Sequence, residues 1–198
     1  SGACLTKDHL ELPLDFDATK KAGAIIGSGG LVVMGDDTCM VELARFFMHF
    51  IKNESCGKCT ACRDGVPRIL AILERIVSGD GKPEDLETLE ELSEMVRICS
   101  LCGLGKTATN PVVSTLKNFR DEYEAHIIDK RCPAKQCNGM KHYSIVPELC
   151  RGCGRCKNNC PHGAITGTIK NPHVIDPEKC KRCGLCASLC AFQAIKEE

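Results

Sequence analysis

Two cysteine runs constrain this chain more than anything else in it. Cys150, Cys153, Cys156 and Cys160 are spaced C-x-x-C-x-x-C-x-x-x-C, and Cys180, Cys183, Cys186 and Cys190 repeat that spacing 30 residues later. The repeat extends beyond the cysteines. Pro147-Glu148-Leu149-Cys150 matches Pro177-Glu178-Lys179-Cys180, and Ala164-Ile165 matches Ala194-Ile195. A duplicated half-domain is the direct reading. With 17 cysteines in 198 residues, a short secreted chain would be read as a disulfide scaffold. Three cysteines at three-residue steps in one loop suit metal ligation far better than pairing.

A cubane cluster takes one thiolate per iron, so three closely spaced cysteines wrap three corners and a remote cysteine must supply the fourth. In the two-cluster ferredoxin pattern that remote ligand comes from the other half. This assigns Cys150, Cys153, Cys156 and Cys190 to one [4Fe–4S] cluster, and Cys180, Cys183, Cys186 and Cys160 to a second. Structural zinc normally takes its ligands as two pairs, without the triple spacing or the exchange between halves. Cys160 is followed by Pro161 but Cys190 by Ala191, which alters the local turn and leaves the ligand count unchanged.

A third run, Cys56, Cys59 and Cys62, lies upstream among amphipathic segments. Apolar periodicity predicts four helices. The first covers about 38–52, capped by Asp37 or Thr38, with Val41, Ala44, Phe47, Met48 and Ile51 on one face. The second opens near Pro67 and stops at Ser78-Gly79. The third opens at Pro83 with Leu86, Leu89, Leu92 and Val96, and the fourth opens at Asn110-Pro111 with Val112, Leu116, Phe119 and Tyr123. Short joints imply an up-down-up-down bundle. The joint carrying Cys56, Cys59 and Cys62 and the joint carrying Cys99 and Cys102 then lie at the same end, so topology brings a fourth thiolate to the first three. Cys102 is the better ligand, because Gly103 and Gly105 follow it and permit close backbone approach, whereas Cys99 ends an apolar face and suits a buried small hydrophobe. A helix N-terminus beside the run, with Lys58 and Arg63 nearby, favours an anionic cluster.

Five cysteines remain. Cys4 and Cys39 read as inert core thiols. Cys132 and Cys137 form a C-x₄-C pair that could start a zinc site, completed by His142 and by His173 or His162. The bland alternative is two buried cysteines in a connector. His9, His49 and His126 read as solvated or satisfied side chains. No acid–base pair, nucleophile or phosphate loop stands out, so no catalytic residue is assigned. The Gly-rich stretch Gly27-Ser28-Gly29-Gly30 lacks the Lys-Ser/Thr of a phosphate loop and reads as turn chemistry.

The expected fold class is α+β in four parts: a small β-rich unit at 1–37, the four-helix [4Fe–4S] domain at 38–128, a connector at 129–146 with the zinc pair, and a two-cluster ferredoxin-like domain at 147–198. The 26 basic and 26 acidic residues cancel, which gives no reason to expect nucleic acid as a partner. No apolar run approaches the length of a membrane span. Exposed thiolates imply a reducing, cytoplasmic setting. The start at Ser1 suggests a piece of a longer protein.

At Glu54–Gly65 the sequence resembles the flavin- and NADH-binding subunit of respiratory complex I. The likeness extends through Gly27-Ser28-Gly29-Gly30-Leu31-Val32-Val33-Met34, Asp37-Thr38-Cys39-Met40-Val41, Cys102-Gly103-Leu104-Gly105 and Phe119–Ile127. It implies that residues 1–37 are the second half of a β-grasp unit and that Cys56, Cys59, Cys62 and Cys102 hold the third cluster. With the ferredoxin-like tail, the whole chain resembles the C-terminal third of the β subunit of NAD(P)-linked [FeFe]-hydrogenases, some of them electron-bifurcating. Formate dehydrogenase β subunits share the plan. The resemblance also favours Cys132, Cys137 and Pro172-His173 as a zinc group, with His142 as a fourth ligand. The family's FMN- and NAD(P)-binding domain would lie before residue 1.

The expected function is therefore the electron-transfer part of an oxidoreductase, without a catalytic centre of its own. It would relay electrons between an external flavin and ferredoxin or partner subunits of a hydrogenase or dehydrogenase complex. A free-standing polyferredoxin and a zinc-stapled docking module are the competing readings.

Overall fold

The computed structural model describes residues 2–197. Ser1, with the expectation attached to it, and Glu198 lie outside the described residues. The chain divides into two compact units, Ser1–Cys137 and Asn138–Glu198, each described by itself below. It is mostly helical with a few short strands.

In the first unit a short helix α1 (Phe16–Lys21) precedes the long helices α2 (Met40–Glu54), α3 (Thr60–Ser78) and α4 (Glu84–Cys99). The short α5 (Gly103–Thr107), α6 (Asn110–Asn118) and α7 (Arg120–Ile127) follow. Helix α2 packs on α3, α6 and α7; α4 packs on α3, α5 and α6; α7 also packs on α3. The apolar stripes meet in one core. Val41, Ala44, Met48 and Ile51 of α2, Val66, Ile69, Leu70, Leu73 and Ile76 of α3, Leu89 and Val96 of α4, Val112 and Leu116 of α6, and Tyr123 and Ile127 of α7 are all buried. Gly65 sets the approach of α3 to α4, since a Cβ there would overlap Val96 Cγ2. Where α3 turns into α4, the buried Asp85 carboxylate accepts from the Arg75 guanidinium and from Lys82 N–H. That hairpin therefore closes on a charge-assisted contact.

The structure departs from the sequence expectations in three places here. Helix α3 begins at Thr60, so Pro67 lies inside it and Cys62 sits in its first turn. The fourth expected helix is broken into α6 and α7 at Phe119, whose φ of −138° and ψ of 41° are not helical. Thr115 Oγ1 donates back to the Pro111 carbonyl at 2.7 Å, a bond that bends helices, and also meets Tyr123 Oη at 2.8 Å. The third departure is the expected β-grasp remnant at 1–37. No strand forms there among the described residues, which hold a 3-10 turn at Lys7–His9, α1 and irregular backbone. Leu31, Val32 and Val33 are largely exposed, and an apolar run becomes a strand only when another strand pairs with it.

The second unit carries the repeat. Strand β1 (Tyr143–Ile145) pairs antiparallel with β4 (Ile195–Glu197), and β2 (Ile165–Thr166) pairs antiparallel with β3 (Val174–Ile175). Helices α8 (Arg155–Asn158) and α9 (Leu185–Leu189) follow the two cysteine loops. The bonds that close the two halves match. Val146 N–H donates to the Ala194 carbonyl (2.8 Å) as Asp176 N–H does to that of Ala164 (2.7 Å). Each half is thus completed by a strand of the other.

Candidate iron–sulfur and metal sites

The repeat places its cysteines around two cavities, each of about 340–350 Å³ including the open mouth. One is lined by Cys150, Cys153, Cys156 and Cys190. The other is lined by Cys180, Cys183, Cys186 and Cys160. In both, three thiols come from one loop and the fourth from the other half. Gly154 and Gly184, each with a φ in the left-handed range (77° and 74°), turn the chain into α8 and α9. The remote cysteines are held alike, Cys160 Sγ accepting from Ala164 N–H and Cys190 Sγ from Ala194 N–H, both at 3.4 Å. Burial pushes the Cys156 and Cys186 thiols up, so a thiolate at either position requires a cation to stabilise it. Four soft sulfur donors around each cavity fit an iron–sulfur cluster.

In the first unit the 56–62 loop meets the 100–105 segment. Cys59 is the N-cap residue of α3, and the nearby backbone N–H groups of Leu101 and Cys62 pull its thiol down. Gly105 is the close contact beneath: a Cβ there would overlap the Ser100 side chain and lie 3.5 Å from Cys62 Cβ. Cys62 is buried and Cys56 exposed, and Ser55 Oγ lies 3.4 Å from Cys62 Sγ. Cys102 caps α5, directly after Leu101. Cys99 was expected to be a buried small hydrophobe, but it is exposed at the end of α4. Nearby, the buried Ser100 side chain also helps to pull the Cys59 thiol down.

At the opposite ends of α2 and α7 stands a group the sequence reading missed. Cys39, His126, Cys132 and Cys137 are all buried, and their ligand atoms lie within 4.8 Å of one another. His126 Nε2 is 3.3 Å from Cys39 Sγ and 3.4 Å from Cys137 Sγ, and the sulfurs of Cys39 and Cys137 are 3.6 Å apart. Neighbouring ligands of a tetrahedral zinc ion with bonds of about 2.0–2.3 Å stand roughly 3.5–3.8 Å apart. The spacing suits one ion. His126 Nδ1 sits 2.7 Å from the Glu122 carbonyl. Donating there leaves Nε2 free to ligate, the arrangement that orients metal-bound histidines. Glu122 also accepts from Met40 N–H through its carboxylate at 3.0 Å, locking α7 to the start of α2.

The titration of the group follows from its crowding. Burial works against a charged imidazole, but hydrogen bonds to Cys132 and Cys39 outweigh it and raise His126 to about 10, so a metal ion binding Nε2 displaces a proton from it. The Cys132 thiol is pushed down by hydrogen bonds with Cys137 and Cys39, while Cys137 is pushed up by Cys132 and Cys39.

The zinc set expected from sequence joined Cys132 and Cys137 to His142 and His173, while the group that could hold a metal ion joins the same pair to Cys39 and His126. In the second unit, His142 is exposed, and His173 lines the Cys150 cavity. Cys39 and His126 were read from sequence as an inert thiol and a satisfied histidine. A topological signal pointed to them. In an up-and-down helix arrangement the start of the first helix and the end of the last share one end, where the C-x₄-C pair follows.

Two family models match the chain. Residues 42–126 match the NADH-ubiquinone oxidoreductase-F iron–sulfur binding region, and residues 149–194 match a 4Fe–4S dicluster domain. The chain thus carries an iron–sulfur domain of each of these two kinds. It is 47% identical over 173 residues to the NADP-reducing hydrogenase subunit HndC of Solidesulfovibrio fructosivorans, covering 87% of this chain and 35% of that protein. It is 41% identical over 144 residues to the F component of the NADH-quinone oxidoreductase of Escherichia coli K12, covering 69% and 31%. A crystal structure of an NAD+-reducing [NiFe]-hydrogenase in the air-oxidised state superposes with a TM-score of 0.55 at 34% identity, over 62% of this chain and 20% of that one. The chain thus spans about a third of the curated relatives it matches. Among the described residues, no helix is long and apolar enough to cross a membrane.

Proposed function

We propose that this chain is the electron-relay segment of a multisubunit NAD(P)-linked oxidoreductase of the hydrogenase β-subunit type. Three [4Fe–4S] clusters are held by Cys56, Cys59, Cys62 and Cys102, by Cys150, Cys153, Cys156 and Cys190, and by Cys180, Cys183, Cys186 and Cys160. A structural zinc ion is held by Cys39, His126, Cys132 and Cys137. The observation that carries the reading is the pair of cavities, each lined by three cysteines of one repeat and the fourth of the other.

When bound, clusters of this type supply one-electron redox chemistry at potentials set by charge, burial and hydrogen bonds to sulfur. The chain's own part is to bind and orient them. Backbone N–H groups point at Cys59, Cys160 and Cys190, and the loops carry cations at Lys58, Arg63, Arg151 and Lys181. Flavin and NAD(P) would bind outside this chain. Partners are the other subunits of the complex and ferredoxin, in the cytoplasm. A hydrogenase complex is preferred over a formate dehydrogenase because the relative matching 87% of the chain is a hydrogenase subunit.

The test is made in the parent complex. Cys153→Ser should abolish electron transfer from flavin to ferredoxin while flavin reduction by NAD(P)H continues. Undiminished transfer to ferredoxin would sink the reading.

A further inference from the structure

The two cavities of the second unit are lined by repeat-equivalent positions almost throughout, so the places where the repeat changes chemistry are informative. Arg155 lines the Cys150 cavity where Leu185 lines its twin, Phe192 lines the first where the exposed His162 lines the second, and His173 lines the first where Tyr143 lines the second. The last exchange crosses the halves, since each ring sits seven residues before the cysteine run of its own half and lines the cavity of the other.

The two rings are deployed differently. Tyr143 spends its hydroxyl on the Glu197 carboxylate, donating at 3.2 Å. His173 is 3% exposed and its Nδ1 has no protein partner. The ring is held tightly: a Cβ on Gly167 would come within 2.8 Å of His173 Cγ and 2.9 Å of Cδ2. That edge is therefore against backbone, and Nδ1 belongs to the other edge. A buried ring nitrogen left unpaired is costly, and the sulfur of a cluster in the cavity it lines is an acceptor.

We propose that His173 donates an Nδ1–H hydrogen bond to the iron–sulfur group held by Cys150, Cys153, Cys156 and Cys190, and that this bond, with the Arg155 charge, makes that group easier to reduce than its twin. The inference rests on the reading that both cysteine sets hold clusters. A donor to sulfur and a nearby cation both stabilise the extra negative charge of the reduced state. Leu185 and Tyr143 offer the twin neither, and its one histidine, His162, is exposed, so water competes for its N–H where none competes for that of the buried His173. His173 is a positioning and tuning residue that takes no part in bond making. Electrons in the pair would rest on the Cys150 side.

The experiment is a potentiometric titration of the anaerobically purified full chain, followed by electron paramagnetic resonance, with iron measured in each sample. In His173→Phe one midpoint should fall. At a fixed potential near it, the reduced-to-oxidised ratio should drop about threefold or more, which is about 28 mV for a one-electron couple. Iron content and the other midpoints should stay as in the unsubstituted chain. Tyr143→His should raise the lower midpoint of the pair. Unmoved midpoints in both variants, with iron retained, overturn the proposal. If His173→Phe loses iron, Tyr143→His decides alone: a raised midpoint supports the proposal and an unmoved one overturns it. An unsubstituted chain that holds no iron overturns the functional reading instead.

Discussion

The Sγ atoms of Cys39 and Cys137 stand 3.6 Å apart although 98 residues separate them. The contact ties the N-cap of α2 to the segment after α7, and His126 closes it from the last turn of α7. Two buried thiols this close, with a third and an imidazole beside them, are poorly suited to ionise independently. One shared cation resolves the crowding.

Zinc should therefore follow Cys39 and His126. In Cys39→Ser or His126→Ala, zinc in the purified chain should fall from about one equivalent to near none, with iron retained. His142→Ala and His173→Ala should keep their zinc. Elemental analysis of the four variants measures this, and loss of zinc on changing His142 or His173 would restore the ligand set expected from sequence.

Cys102 and Cys99 should differ in the same assay. Cys102→Ser should lose one cluster's worth of iron and sulfide, because Cys102 follows Leu101, whose N–H reaches Cys59. Cys99→Ser should lose none. The opposite pattern would move the fourth ligand to the end of α4.

Gly65→Ala should destabilise the first unit without touching any ligand. The added Cβ would overlap Val96 Cγ2, and overpacking of this kind costs about 1–3 kcal/mol. In a chain of this size that lowers Tm by roughly 2–10 °C. Thermal unfolding at constant iron and zinc content measures it, and an unchanged Tm would contradict the packing described.

Both tyrosines should stay protonated well above pH 10. Burial pushes Tyr123 far up, and burial with the Glu197 hydrogen bond pushes Tyr143 up to about 12. A folded pKa raised above its unfolded value contributes stability that is fully present below about pH 10. For Tyr143 that contribution is lost as the pH climbs from 10 towards 12. The ultraviolet difference spectrum of tyrosinate should show no normal titration near pH 10 in the folded chain. Tyr143→Phe should remove only the component near 12.

Much of the site was legible because its ligands are local. Cys150, Cys153 and Cys156 mark a loop of three thiols around a cavity, and the 30-residue repeat marks its twin, with Cys160 and Cys190 exchanged. The apolar stripes of α2, α3 and α4 were also readable, since helical periodicity is local. Leu89 and Val96 are as buried as their spacing implied. Three readings failed for one reason. Leu31-Val32-Val33 looks like a strand, but pairing is decided by a partner distant in sequence. Phe119 continues the apolar period, yet side-chain bonds from Thr115 accompany the break there. Cys39 and His126 look like core residues until the packing of α2 and α7 brings them to the C-x₄-C pair.

Residue type and spacing along the chain therefore determined the three cysteine loops and the helical core by themselves. Only the tertiary structure decided the fourth members. It brought Cys39 and His126 to Cys132 and Cys137, and it set His173 at the wall of the Cys150 cavity. Ligands within one loop are held together by the covalent chain. Ligands from different elements are held together by the packing of those elements, which no local spacing encodes.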